Sequence, residues 1–402
     1  MRDRLIDENT DPARDPVVVF GRRSAFARRN GTLRTVTADA LLAPVLAAVV
    51  AESGIDRSDI DDVIIGNAVG GGGNVARLAA LSAGVPVSVP AQTIDRQCGS
   101  GLEAIVLACR LIAAGAGTTF LAGGVDSTST APLRAHRLTS LPGAPDFFDR
   151  VRFSPPWLGD PDMGAAADNV ADRFGITRER QDAFALRSHR RAVRAAETGA
   201  FSSEIVPVHT DAGDVVRDQG PRNNLSAALL ARFGPAFSVG GSVTAGNSCA
   251  DADGAVVVLV TDRATAVARG LTGALRFVDA LSLGTDPNYL GVAGGEAART
   301  LLQRRGIAAT RLKRVEFAEA FAAQVLASLD VMGVPERMVN REGGALALGH
   351  PYGASGALLV LRLLNQSRAE AMPGKLSLAA LSIAGGLGTA ALWEWISTRS
   401  PR

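Results

Sequence analysis

Two stacked α/β halves built on one repeated plan are the architecture the sequence predicts, and three observations predict it. Apolar runs with strand character alternate with amphipathic segments at helical spacing along most of the 402 residues. Strands alternating with helices imply mostly parallel sheets covered by helices. The last third then repeats the order of the first. Residues 276–281 answer 17–20, residues 315–318 answer 63–66, and a helix beginning near Ser355 and Gly356 answers one beginning near Ser100 and Gly101. Gly385-Gly386, between the last two strands, answers Gly123-Gly124.

Taken in order, residues 17–20 read as a buried strand and 36–52 as a helix ended by Gly54. A second strand covers 63–66. The run Gly70-Gly71-Gly72-Gly73 behind it lacks the Lys-Ser/Thr ending of a phosphate loop and reads as a flexible turn before a helix. A strand at 91–95 leads into Gln97-Cys98-Gly99-Ser100-Gly101. Leu102, Ile105, Val106, Leu111 and Ile112 lead out at helical spacing, so Cys98 sits at a strand-to-helix turn. Free N–H groups and the positive dipole end of a helix favour thiolate, so a lowered Cys98 pKa is expected. The two following glycines leave room for an acyl group or cofactor arm against the backbone. After a strand at 118–125, residues 131–162 lose all periodicity, with five prolines from Pro142 through Pro161, as a lid or binding loop does. Helices follow at 165–174 and 177–198, the second capped by Thr177.

Composition narrows the function. The net charge is +2 and there is no long basic block, which removes support for nucleic-acid binding. Cys98, Cys109 and Cys249 show no paired spacing, and none of the four histidines falls in a metal pattern, so neither a disulfide framework nor a metal site is expected. A reducing, cytoplasmic setting suits such cysteine usage. The polar start, with Asp3, Asp7, Glu8 and Asp11, fits neither a signal nor a transit peptide and is expected to be a flexible tail. No apolar run reaches membrane-spanning length.

A thiol nucleophile needs a base, and imidazole suits that work near neutral pH. His350 stands in Gly349-His350-Pro351-Tyr352-Gly353-Ala354-Ser355-Gly356, at the counterpart of the Cys98 turn in the repeat. Ligands of open α/β sheets bind beyond the carboxyl ends of the strands, so a pseudo-twofold arrangement brings both turns to one cleft. His136, His189 and His209 lie in polar or helical contexts and read as solvated.

From about Pro16 to Trp395 the chain resembles the thiolase family, CoA-dependent enzymes that make or cleave 3-oxoacyl-CoA. The resemblance rests on the Cys98 and His350 motifs, on Val243-Thr244-Ala245-Gly246-Asn247, and on Glu319-Ala320-Phe321-Ala322-Ala323-Gln324. Met163-Gly164, Asn169-Val170-Ala171 and Gln181-Asp182-Ala183-Phe184-Ala185 resemble the family's loop-domain helices. It implies a thiolase fold of layered αβαβα halves with an inserted loop domain over CoA. The expected divisions are a tail at 1–16, an N-terminal half at 17–130 completed by 243–274, a loop domain with return segment at 131–242, and a C-terminal half at 275–402. A homodimer or homotetramer, acyl-CoA as substrate, and no permanently bound cofactor are implied as well.

The resemblance assigns Cys98 as acyl acceptor, His350 as its base, and the backbone N–H groups of Cys98 and Ala384 as oxyanion donors. It places Arg222 near the adenine end of CoA, with Met163, Cys249, Phe237 and Phe321 as further binding positions. Departures are equally specific. Ser382 replaces the family's second cysteine, Ala318 the asparagine that orders a catalytic water, Ala384 a glycine, Asp162 a histidine and Cys249 a serine. A serine hydroxyl is a poor base beside a thiol. Acyl loading is therefore expected to survive, with thiolysis or Claisen condensation as the overall reaction. The alternatives are an acyltransferase whose second substrate is activated differently, and a weakly catalytic subunit that binds CoA esters. Residues 142–161 are expected to shape acyl choice.

Overall fold

The computed structural model describes residues 11–138, 143–148, 150–371 and 373–398. The first ten residues of the expected tail, and Pro142 at the start of the proline-rich segment, lie outside the described residues. The first half strings together β1 (Pro16–Ser24), α1 (Ala38–Ser53), β2 (Asp62–Gly66), α2 (Val75–Ser82), β3 (Ala91–Ile94), α3 (Ser100–Ala113) and β4 (Thr119–Ser127). A long excursion carries α4 (Met163–Phe174) and α5 (Arg178–Glu197), after which β5 (Ala252–Asp262) returns beside β4. The second half runs β6 (Ala274–Gly284), α6 (Ala293–Arg304), β7 (Leu312–Phe317), α7 (Ala322–Met332), α8 (Tyr352–Glu370), β8 (Leu376–Ile383) and β9 (Leu387–Ile396).

Local signals place several boundaries. Gly54 stops α1 in the left-handed region at φ 71°, where a glycine carries no Cβ penalty. Asn74 closes the glycine run and caps α2 by accepting from the Arg77 N–H, and Thr177 caps α5 by accepting from Arg180 N–H. Strand order is β7-β8-β9-β6-β1-β5-β4-β2-β3, with short strands Ala27–Arg28 and Ile205–Val206 pairing with β5 and β1. The expectation of mostly parallel sheets is corrected. Among the nine numbered strands, β2–β3, β2–β4 and β7–β8 are parallel, while β1–β5, β4–β5, β6–β9, β8–β9 and β1–β6 are antiparallel. A tight turn joins β8 to β9, which forces an antiparallel hairpin, and β5 starts from the excursion at the same end where the chain leaves β4, Asp253 opposite Ser127.

The two halves meet edge to edge at Val17–Arg276 and Val18–Leu275, and the sheet residues alternate between separate apolar layers. In β5, Val256, Val258 and Val260 join the inner cluster, whereas Ala255, Val257 and Leu259 join the outer cluster under α1 and α2. In β8, Ala379, Leu381 and Ile383 face inward and Leu378 and Ala380 face the outer cluster of α6 and α7. The inner layer is α3 packed on α8, so the layers run helix, sheet, helix, sheet, helix. Close approach there depends on small residues: a Cβ on Gly124 would lie 1.9 Å from the Gly353 carbonyl oxygen, and one on Gly101 2.3 Å from it. The excursion from the first half covers the second. Val170 and Ala171 of α4 and Phe184 and Ala185 of α5 belong to the outer cluster of α7.

Candidate active site

Cys98 occupies a sharp turn between β3 and α3. Gln97 before it has φ 49°, a left-handed conformation unusual for a residue with a side chain. Ser100 holds that turn, donating from Oγ to the Gln97 carbonyl at 2.6 Å and accepting from the Arg96 N–H at 2.8 Å. The N–H groups of Ala384 and of Cys98 itself act on the sulfur and lower its pKa, but desolvation outweighs them and pushes the thiol up to about 12. The lowered pKa expected from the helix terminus is thus corrected: burial wins over the dipole. Room beside the turn is also smaller than the glycines suggest. A Cβ on Gly99 would meet Ile383 at 2.4 Å, so both glycines serve protein packing.

His350 is 3% exposed and lies just before α8. Its N–H donates to the Ala250 carbonyl at 2.9 Å, which lays the turn beside the segment entering β5. Nδ1 is 2.6 Å from Ser355 Oγ, while Nε2 is buried with no hydrogen-bond partner among the described residues. With Nδ1–H donated to Ser355, Nε2 is the bare basic nitrogen. Desolvation pulls the imidazole down to about 4, against an opposing pull from Asp251. Asp126, at the end of β4, ties the loop after β2 to the His350 turn: its carboxylate accepts from Asn67, Ala68 and Val69 on one side and from the Gly353 N–H at 2.7 Å on the other.

Three cavities ring these turns. One of about 750 Å3 is lined by Arg96, Gln97, Arg152, Phe153 and Ala384. A second, of about 320 Å3, is lined by Arg28, His189, Arg222, Phe237, Cys249 and Gly349. The third, about 230 Å3, is bounded by Arg29, Arg134, Phe147, Phe148, Asp251 and Tyr352. Arg222, Phe237 and Cys249 therefore come together as expected positions of one channel beside His350. Phe321 reaches it indirectly, edge-to-face on Phe237 at 5.9 Å. Met163 opens α4 and lines none of the three cavities; Phe237 packs over the adjacent Gly164. His189 is not solvated as expected but buried, accepts from the Arg222 N–H, and is held down near 4 by desolvation first and by Arg222 and Arg28 second.

Ser382 and Ala318 are both held by backbone groups of neighbouring elements. The Ser382 hydroxyl donates to the Gly291 carbonyl at 2.6 Å and accepts from the Gly294 N–H at 3.0 Å, so it pins the start of α6 to β8. Ala318 is buried, with its N–H on the Ala380 carbonyl. Sequence reasoning missed Asp251 and Tyr352, whose hydroxyl donates to Asp251 Oδ1 and whose ring lies 5.1 Å from that of His350. A signal was present: Asp251 is two residues past Cys249 on an extended segment, where alternate residues share a face. Among the described residues, no group of three or more His, Cys, Asp or Glu is placed to hold a metal, and no helix is long and apolar enough to cross a membrane.

A layered fold with a thiol turn and an imidazole turn from its two halves defines a class, and comparison with known proteins agrees. A family profile described as "Thiolase, N-terminal domain" matches residues 16–264, and "Thiolase, C-terminal domain" matches 271–395. The chain belongs to the thiolase family and is an acyltransferase. Among its relatives is the Staphylococcus aureus (strain MRSA252) protein named "Putative acetyl-CoA C-acetyltransferase VraB", 41% identical over 379 residues, covering 94% of this chain and 98% of the relative. Its namesake in Staphylococcus haemolyticus is 41% identical over 384 residues, covering 95% and 99%. A solved structure, the Bacillus anthracis acetyl-CoA acetyltransferase, superposes with a TM-score of 0.89 at 34% identity, covering 95% of this chain and 99% of its own.

Proposed function

We infer that Cys98 attacks an acyl-CoA thioester and carries the acyl group as a covalent thioester. His350 Nε2 takes the thiol proton, the N–H groups of Cys98 and Ala384 receive the oxyanion, and the departing CoA thiolate takes the proton back from His350. The observation that carries this reading is the buried, unpartnered Nε2 of His350 in a site where a second half contributes a cysteine under two backbone donors. Desolvation raises the thiol and lowers the imidazole, and both directions disfavour moving the proton ahead of attack, so proton transfer accompanies carbon–sulfur bond formation.

The 320 Å3 cavity supports a place for the CoA arm, with Phe237, Cys249, Arg28 and Arg222 in its lining. Acetyl-CoA is the simplest substrate of the reading, and a 3-oxoacyl-CoA is made or cleaved in the second half-reaction. The hydrogen bonds that occupy Ser382 favour a variant reading, in which the second substrate is activated by a group other than the one at that position. A dimeric or tetrameric assembly, and work in the cytoplasm, belong to the same proposal. Intact-protein mass spectrometry after mixing with acetyl-CoA tests it: a 1:1 acetyl adduct that is absent from Cys98→Ser is expected, and an unmodified wild-type protein would refute acyl loading.

A further inference from the structure

Around Cys98 and His350 the described carboxylates are not equivalent. Asp126 is consumed by four donors, three from the loop after β2 and one from the His350 turn. Asp251 is held differently. Its carbonyl accepts from the Arg29 N–H at 2.8 Å, and its backbone bridges to that of His350, so its Cα position is set by the imidazole turn itself. One carboxylate oxygen, Oδ1, accepts from Tyr352, and the other has no hydrogen bond among the described residues. The residue is half-buried and forms part of the wall of the 230 Å3 cavity next to His350. Its charge acts on Cys98, Cys249, His350 and Tyr352 together, which places it within electrostatic reach of the whole site.

A carboxylate is an effective base only where it is fixed and partly dry, and where one lone pair is left free. Asp251 satisfies each condition, whereas the Ser382 hydroxyl is engaged as both donor and acceptor by α6. We propose that Asp251 is a catalytic base for the second half-reaction, removing an α-hydrogen from the acyl-CoA that attacks the Cys98 thioester, with Tyr352 fixing the carboxylate through Oδ1. In the forward sense, the free oxygen takes the α-proton and the carbon lone pair bonds to the carbonyl carbon held on Cys98. The carbon–Sγ bond then breaks, and the thiolate regains a proton equivalent to the one Asp251 has accepted, passed through solvent. Thiolysis reverses these steps. The substrate class is a thioester with an α-hydrogen. The inference rests on the acyl-enzyme reading for its place in the sequence of steps.

Its test is separable from that reading. Exchange of acetyl-CoA methyl hydrogens in D2O, followed by NMR, reports α-proton removal directly, while the mass of the Cys98 adduct reports acyl loading. Asp251→Asn, which keeps an acceptor for Tyr352, is expected to lose at least about 100-fold in exchange while still acetylating Cys98. Asp251→Glu, which keeps the charge but displaces it, is expected to retain more exchange than Asp251→Asn, and it serves as the probe should Asp251→Asn fail to fold. Ser382→Ala is expected to exchange like wild type. Exchange by Asp251→Asn within about threefold of wild type, loss that follows Ser382→Ala instead, or a wild type that exchanges nothing would each overturn the proposal. A wild type that exchanges but forms no adduct would instead overturn the acyl-enzyme and leave Asp251 as a base.

Discussion

The Cys98 turn and the His350 turn occupy equivalent positions in the two halves, yet they are supported in opposite ways. In the first half a complete strand, β3, pairs with β2 over four positions and delivers the cysteine directly into α3. Its counterpart in the second half shrinks to one bridge, Val315 to Val339, after which ten more residues intervene before the imidazole. A buried polar network takes over there. Asn340 pairs with both backbone groups of Phe317, and Glu319 accepts from Asn340, from Ser188 of α5 and from the Leu346 N–H. Duplication thus provides one scaffold twice. A short rigid turn presents Cys98, and a longer one, propped by the excursion of the other half, presents His350.

That contrast can be challenged. Removing the base should have the largest effect: His350→Ala is expected to slow Cys98 acetylation about 1,000-fold without unfolding the protein, measured by quenched-flow mass spectrometry. Reactivity of the nucleophile should follow pH next. With the thiol pushed up to about 12 by burial, alkylation by iodoacetamide is expected to accelerate roughly tenfold per pH unit from 7 to 10. A plateau reached below pH 7 would mean that a preformed thiolate exists and that the dipole outweighs burial. The seam between the turns is expected to tolerate no added atom. Gly124→Ala places a methyl 1.9 Å from the Gly353 oxygen, between backbones that cannot swing aside. A loss of about 3 kcal/mol in urea unfolding is expected. Smallest, Ser382→Ala should lower stability by about 1 kcal/mol through its lost hydrogen bonds and leave acetylation within about twofold of wild type.

Much of the site was legible one residue at a time. Cys98 at a strand-to-helix turn, His350 framed by glycines, and the matching order of elements that relates them are all patterns of local spacing, and local spacing is what a sequence displays. The sign of the Cys98 pKa was not legible, because the dipole of α3 belongs to the helix whereas the desolvation belongs to the inner apolar cluster packed against the cysteine. His189 was misread for the same reason: a polar helix face looks solvated until residues 220–222 fold across it.

Alternation and capping were determined by the order of amino acids alone, since backbone geometry and the three or four neighbouring side chains decide them. Strand direction, the burial of two titrating groups and the employment of each polar atom were settled only by tertiary structure. Ser382 shows why. As a residue it is a replaced cysteine, and its duty as a clamp exists because β8 lies against the start of α6, from residues almost ninety positions away. Asp251 shows the reverse: an acid unremarked in the chain comes beside His350 only because the segment entering β5 bridges to the His350 turn, and the pairing of its oxygens depends on what surrounds them in space.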